Sequence, residues 1–143
     1  SEGSQPSAAL NNAPGEQDRL AYEKAFSSLK AGQYQQSITD FSEFVAQHPN
    51  SVYIPNAFYW LGEASYVNRD FQRAYEEFNK VVSLYPEHSK AKDAMLKIGF
   101  IQYENKQWQA ARETLEKVTT SYPNSTVASL AEKRLEQMRQ ENR

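Results

Sequence analysis

The feature that most constrains this chain is a self-similarity with a period of 37 residues. The pairs His48-Pro49, Tyr85-Pro86 and Tyr122-Pro123 stand 37 apart, twice over. A slide by that period also lays Ala25 on Gly62 and Gly99, Leu29 on Tyr66 and Tyr103, and Tyr34 on Phe71 and Trp108. Ser37, Ala74 and Ala111 coincide, as do Phe41, Phe78 and Leu115, and Phe44, Val81 and Val118. Small residues stay on small and large on large through three copies, as in chains built of stacked equivalent units.

Each copy reads as two helices. Phe58, Leu61, Gly62 and Ser65 fall on one helical face, and Phe71, Ala74, Phe78, Val81 and Val82 form a second stripe beyond the polar turn Asn68-Arg69-Asp70. Pro86 ends that second helix at Tyr85, because proline lacks the amide proton and disfavours helical geometry in the residue before it. Asn50-Ser51 and Asn124-Ser125 follow their prolines and suit N-caps or turns. Gly62 with Ala74, and Gly99 with Ala111, are expected to let the two helices of a unit approach closely. A helical glycine costs roughly 1 kcal/mol against alanine and needs such a reason. Neither helix can bury its apolar face alone, and stacking of neighbours does so.

Residues 1–15 hold two of the six prolines, two of the five glycines and no aromatic, and are expected to be a flexible linker. Residues 16–143 are expected to form the folded domain. A start at Ser1 rather than Met is expected of a processed or trimmed chain, with any signal peptide upstream. No apolar run approaches the ~20 residues of a membrane-spanning helix, and the mean hydropathy is −0.81, so no membrane insertion is expected. Sixteen basic and eighteen acidic side chains are interspersed, giving a net charge of −2. That argues against nucleic acid as a partner, since phosphate neutralisation needs a basic excess. With no cysteine there are no disulfides, thiolate metal sites or cysteine nucleophiles.

No catalytic constellation emerges. His48 and His88 lie 40 residues apart beside proline turns, without the convergent partners of a metal site. Glu76-Glu77 and Glu113 with Glu116 read as solvated helix faces. No phosphate-binding glycine loop or nucleophile elbow is present. The expectation is a non-enzymatic chain with no catalytic residue, metal or cofactor.

The order of small, aromatic, small, aromatic and terminal proline resembles the tetratricopeptide repeat. That resemblance implies an all-α fold: a right-handed α-solenoid of three helix pairs, about residues 18–51, 55–88 and 92–125, with a C-terminal capping helix at about 126–141. Its standard unit is about 34 residues, so some three extra residues are expected to lengthen the turn between units. The first copy fits least well, with Lys24 where Leu61 and Ile98 stand and Ser37 in place of alanine.

In such repeats the first helix of every unit lines a concave groove. The implied partner-binding residues are Tyr22 and Phe26, then Tyr59, Glu63 and Tyr66, then Leu96, Phe100 and Tyr103. Arg19, Leu29, Lys30, Asn56, Val67, Asp93 and Glu104 lie on the same faces. For Leu29, Tyr66 and Tyr103, recurrence favours packing. Tyr22, Phe26, Tyr59 and Phe100 exceed what a minimal repeat needs and favour a contact surface, so Tyr59→Ala and Phe100→Ala are expected to weaken partner binding without altering stability. Trp108 is expected in the core, and Trp60, which matches Lys97, at an outer or edge position as a weaker contact. Tyr22, Phe26, Tyr59 and Glu63 stand where domains that clamp a C-terminal carboxylate carry Lys, Asn and Arg. The groove is instead expected to take an apolar peptide, with basic groups near Glu63, Asp93 and Glu104.

Within residues 48–99, Pro49-Asn50-Ser51, Pro55-Asn56-Ala57, Tyr59-Trp60-Leu61-Gly62-Glu63 and Tyr85-Pro86 are similar to the C-terminal domain of the Tol–Pal-associated cell division coordinator CpoB (YbgF) family. That resemblance implies a Gram-negative periplasmic protein that coordinates septal peptidoglycan synthesis with outer-membrane constriction. Its implied partners are TolA and a bifunctional peptidoglycan synthase, and it implies oligomerisation through an N-terminal coiled coil absent from this sequence. Many offsets are shared with outer-membrane assembly lipoproteins, the alternative reading. A lipid-anchor cysteine would favour that alternative, and these 143 residues contain none.

Overall fold

Three prolines set the rhythm of the chain. His48, Tyr85 and Tyr122, each immediately before a proline, take φ/ψ of −130/60, −133/56 and −129/58. The proline ring drives its predecessor out of helical space, and three helices stop there. The computed structural model describes residues 15–143; the linker expected at 1–15 lies outside them apart from Gly15. Seven helices follow: α1 (Glu16–Lys30), α2 (Tyr34–Gln47), α3 (Ile54–Val67), α4 (Phe71–Leu84), α5 (Lys90–Glu104), α6 (Trp108–Ser121) and α7 (Thr126–Gln140). No strand occurs among the described residues.

The turns inside the units are identical in design. Gly32, Arg69 and Lys106, one repeat period apart, all have positive φ, at 78°, 61° and 60°. After each, an amide reaches back to the last turn of the preceding helix: Gln33 N–H to Ser28 O, Asp70 to Ser65 and Gln107 to Gln102, at 2.9, 2.9 and 2.8 Å. These are Schellman-type ends, which favour glycine at the left-handed position; only the first unit supplies one. The longer turns, 48–53 and 85–89, lie between units. Ser125 is a true N-cap, its hydroxyl accepting from Ala128 N–H at 3.1 Å. Ser51 is a turn former, accepting from Tyr53 N–H at 3.1 Å.

The backbones of odd-numbered helices approach one another in series, α1 on α3, α3 on α5 and α5 on α7, whereas those of even-numbered ones approach only their neighbours in sequence. The odd layer is therefore the short-radius, inner side of a curved stack. Each pair closes over a column of rings and small residues. Phe41, Phe78 and Leu115 are fully buried on the second helices, opposite Ala25, Gly62 and Gly99. A Cβ on Gly62 would stand 2.6 Å from the Phe78 ring, and one on Gly99 2.6 Å from Leu115. Phe78 and Leu115 thus lie directly over the glycines, and Ala74 and Ala111 are fully buried in the same units. Lys24, at the position of the buried Leu61 and Ile98, is exposed, and its amine reaches Asp40 at 3.8 Å.

A polar seam runs beside this column. Ser28 donates to Asp40 Oδ2 at 3.1 Å, and Thr114 donates to Gln102 Oε1 at 2.6 Å, at equivalent positions of the first and third units. In the second unit the seam is rewired. Ser65 Oγ has no partner, and Glu77, 5% exposed, pairs instead with Arg73 and Lys80, each at 3.3 Å.

Candidate functional site

The inner face is built from four repeat columns. In the first, Tyr22, Tyr59 and Leu96 face the second helix of their own unit. Tyr22 meets Phe41 and Phe44 edge-on, both at 5.8 Å, and Tyr59 lies 5.4 Å from Phe78. Leu96 joins the cluster of Leu115 and Val118. Two expected groove residues are therefore corrected: Tyr59 and Leu96, only 6% and 4% exposed, belong to the core. The Tyr59 hydroxyl donates to Glu63 Oε2 at 2.8 Å. Burial, and then the neighbouring Glu63 charge, hold its phenol far above the ordinary tyrosine range. Tyr22 stays half-buried, stacked on Tyr53 at 4.4 Å, its pKa raised chiefly by burial.

The second column, Phe26, Glu63 and Phe100, points into the hollow, and all three are half-buried. Glu63 is already engaged: besides Tyr59 it pairs with Lys97 at 2.9 Å. Glu104 pairs with Arg69 at 3.7 Å. Of the three acids expected to attract basic groups, Glu63 and Glu104 are thus paired within the chain, and Asp93 enters no ion pair among the described residues.

In the third column, Tyr66 and Tyr103 meet the ring that opens the second helix of the unit, Phe71 at 5.4 Å and Trp108 at 5.2 Å. Tyr103 also donates to Glu141 at 2.7 Å and accepts from Gln137 at 3.0 Å. The hydrogen bond to Glu141 is the main reason the Tyr103 phenol is raised and the Glu141 carboxyl lowered. Trp108 is partly buried, with the Arg143 guanidinium 4.0 Å from its ring centre.

The fourth column, Trp60, Lys97 and Arg134, fastens units together. Trp60 donates to the Tyr22 hydroxyl oxygen at 2.9 Å and lies 5.2 Å from Phe26. It is an inner-layer link between α1 and α3 rather than an outer edge. Lys97 covers Tyr66 at 4.6 Å, and Arg134 covers Phe100 at 4.2 Å and Tyr103 at 4.8 Å. Lys90 adds a cation over Tyr59 and Trp60, at 4.9 and 4.6 Å. Rings of one first helix are thus capped by cations of the next, contacts worth about 0.5–2 kcal/mol each. The sequence reading missed Lys90 and Arg134; the 37-residue spacing of Lys97 and Arg134 was the available signal.

Between α5 and α7 the hollow opens into a cavity of about 360 Å³ lined by Phe100, Leu130, Lys133, Arg134 and Gln137. Among the described residues, no group of three or more His, Asp or Glu is placed to hold a metal ion. The arrangement offers rings, cations and an apolar slot, features suited to a peptide.

The chain matches the family model YfiO, described as outer membrane lipoprotein, over residues 14–141. Among curated proteins, the cell division coordinator CpoB of Pseudomonas putida is 34% identical over 64 residues, 43% of this chain and 24% of that protein. The match thus spans about a quarter of that relative's length. Among solved structures, the Yersinia enterocolitica type III secretion chaperone SycD, in complex with a peptide of the translocator YopD, superposes with a TM-score of 0.78 at 12% identity, over 93% of this chain and 100% of that one. The tetratricopeptide domain of Arabidopsis OM64 gives 0.70 at 18% identity, over 84% and 94%. These structures establish the fold, an all-α tetratricopeptide solenoid of three helix pairs and a closing helix. With the family model matched along nearly its whole described length, the chain belongs to the YfiO family of outer membrane lipoproteins.

Proposed function

We propose that residues 16–143 act as one non-enzymatic protein-interaction module of the Gram-negative periplasm. Its role is to coordinate septal peptidoglycan synthesis with outer-membrane constriction through the Tol–Pal system, with TolA as bound protein and a bifunctional peptidoglycan synthase as a further partner. The observation that carries this reading is the 34% identity to a cell division coordinator. The inner face supports the mode of binding. Tyr22, Phe26, Tyr66, Phe100 and Tyr103 remain partly exposed there, and rings give large contact area at low entropic cost. Glu63 holds Lys97 in place beside them.

The test is binding of purified TolA to the immobilised chain. A saturable signal by tens of micromolar supports the reading, and its absence removes it. The YfiO match favours a second reading, a scaffold for outer-membrane protein assembly. Components of the β-barrel assembly machinery, passed over the same surface, distinguish the two: binding there without TolA binding selects the second.

A further inference from the structure

Three cations of the inner face have apolar surface beneath them. Lys90 lies over Tyr59 and Trp60, Arg134 over Phe100 and Tyr103, and Lys133 lines the cavity between α5 and α7. None forms an ion pair with a carboxylate of the described residues. Of the nearby acids, Glu63 is paired with Lys97, Glu104 with Arg69, Glu136 with Arg139, and Glu141 with Arg143 at 3.4 Å together with Tyr103 and Gln137, while Asp93 and Glu132 enter no ion pair among the described residues. Arg134 Nη1 is shut off from solvent and meets no acceptor. A guanidinium stacked on rings is poised for a carboxylate, which its remaining donors, rather than the shut-off Nη1, would grip. Beside it Leu130, 42% exposed, and Phe100 form the walls of a slot for an apolar side chain.

We propose that the α5–α7 end of the inner face binds an extended acidic segment of a partner protein. One carboxylate sits on Arg134 and Lys133, a neighbouring apolar side chain enters between Phe100 and Leu130, and further acidic residues run toward Lys90. The inference rests on the chain being a protein-interaction module and names the chemistry of what it holds. Charge complementarity selects an acidic peptide over a basic one. The overall charge of −2 favours such a local contact over attraction to an anionic membrane, which needs a broad basic field.

The probe is a fluorescein-labelled peptide alternating glutamate and leucine, with lysine–leucine and glutamine–leucine counterparts, titrated with the intact chain by fluorescence anisotropy. The acidic peptide is expected to bind, to weaken as salt is raised, and to lose about tenfold in affinity with Arg134→Gln. Lys133→Gln and Lys90→Gln should each weaken it less. Lys24→Gln, on α1 in the first unit and paired with Asp40, should leave it unchanged. Melting curves identify any variant that has lost its fold, and Lys133→Gln, at an exposed position, provides a reading independent of α7 packing. Equal binding of all three peptides overturns the proposal, as does indifference to Arg134→Gln in a folded variant. Binding of phosphatidylglycerol vesicles in place of the peptide overturns it too. TolA binding that persists without any acidic-peptide binding removes this proposal and leaves the Tol–Pal reading standing. Acidic-peptide binding without TolA binding does the reverse.

Discussion

Gly62 and Tyr59 decide opposite questions from one turn of helix. Gly62 is small because Phe78 occupies the place of its missing side chain, with ring carbons 2.6–2.8 Å from where a Cβ would stand. Gly62→Ala should destabilise by about 1–3 kcal/mol through overpacking. Phe78→Leu in the same chain should recover part of that loss, a non-additivity visible in urea titrations of the double-mutant cycle. Tyr59 is large because the same core needs filling. Tyr59→Ala should therefore cost about 3–5 kcal/mol, against about 1–2 kcal/mol for Phe100→Ala, which loses only partial burial and the Arg134 contact. Equal melting midpoints for these two alanine variants would show that Tyr59 is not core. Spacing placed both rings on first helices. It could not separate them, because the distinction depends on the angle at which a neighbouring helix crosses, and that is set by packing.

At the scale of the element, the ends of helices carry the predictions. Lys106 holds a left-handed conformation with φ 60° where the first unit has Gly32. Lys106→Gly should stabilise the α5–α6 turn by about 1 kcal/mol, since the left-handed penalty of an L-residue exceeds the entropy glycine adds to the unfolded chain. A midpoint that falls instead would mean that the Lys106 side chain is making a contact the turn depends on. His88 Nδ1 accepts from Lys90 N–H at 3.0 Å where α5 begins, which requires a neutral ring. Burial first, then the charges of Lys90 and Lys92, lower its pKa below the ordinary 6.5. The unfolded chain consequently takes up the proton before the folded one, and the stability this histidine contributes is present above pH 6.5 and lost as pH falls below it. His88→Gln should flatten that part of the stability profile, measured by urea unfolding at stepped pH. All seven helices, their proline stops and the three-unit count could be read from the repeat. The rewired seam at Ser65 and Glu77 could not, because it depends on Arg73 reaching across to Ser42 in the previous unit at 2.9 Å.

For the whole molecule, stability is a sum of units and the interfaces between them, so one interfacial residue can decide whether the stack melts as one. Trp60 holds that position between the first unit and the rest. Its indole bonds to the Tyr22 hydroxyl, its ring adjoins Phe26 and Tyr59, and Lys90 covers it from the start of α5. The corresponding residues one and two periods later are Lys97 and Arg134, which grip through cation–ring contacts and, for Lys97, the Glu63 pair. The first interface thus depends on an aromatic anchor and the later ones on charge, so the two should respond differently to salt. Trp60→Ala should leave α5–α7 protected while amides of α1 and α2 exchange faster by at least tenfold, corresponding to about 1.4 kcal/mol of lost local stability. Raised salt should leave this interface nearly intact in the unmodified chain and loosen the Glu63–Lys97 pair at the next one. Hydrogen exchange read helix by helix at two salt concentrations checks both statements. Uniform acceleration across all seven helices of Trp60→Ala would mean that the stack unfolds as a single cooperative body, with no separable first unit for Trp60 to hold.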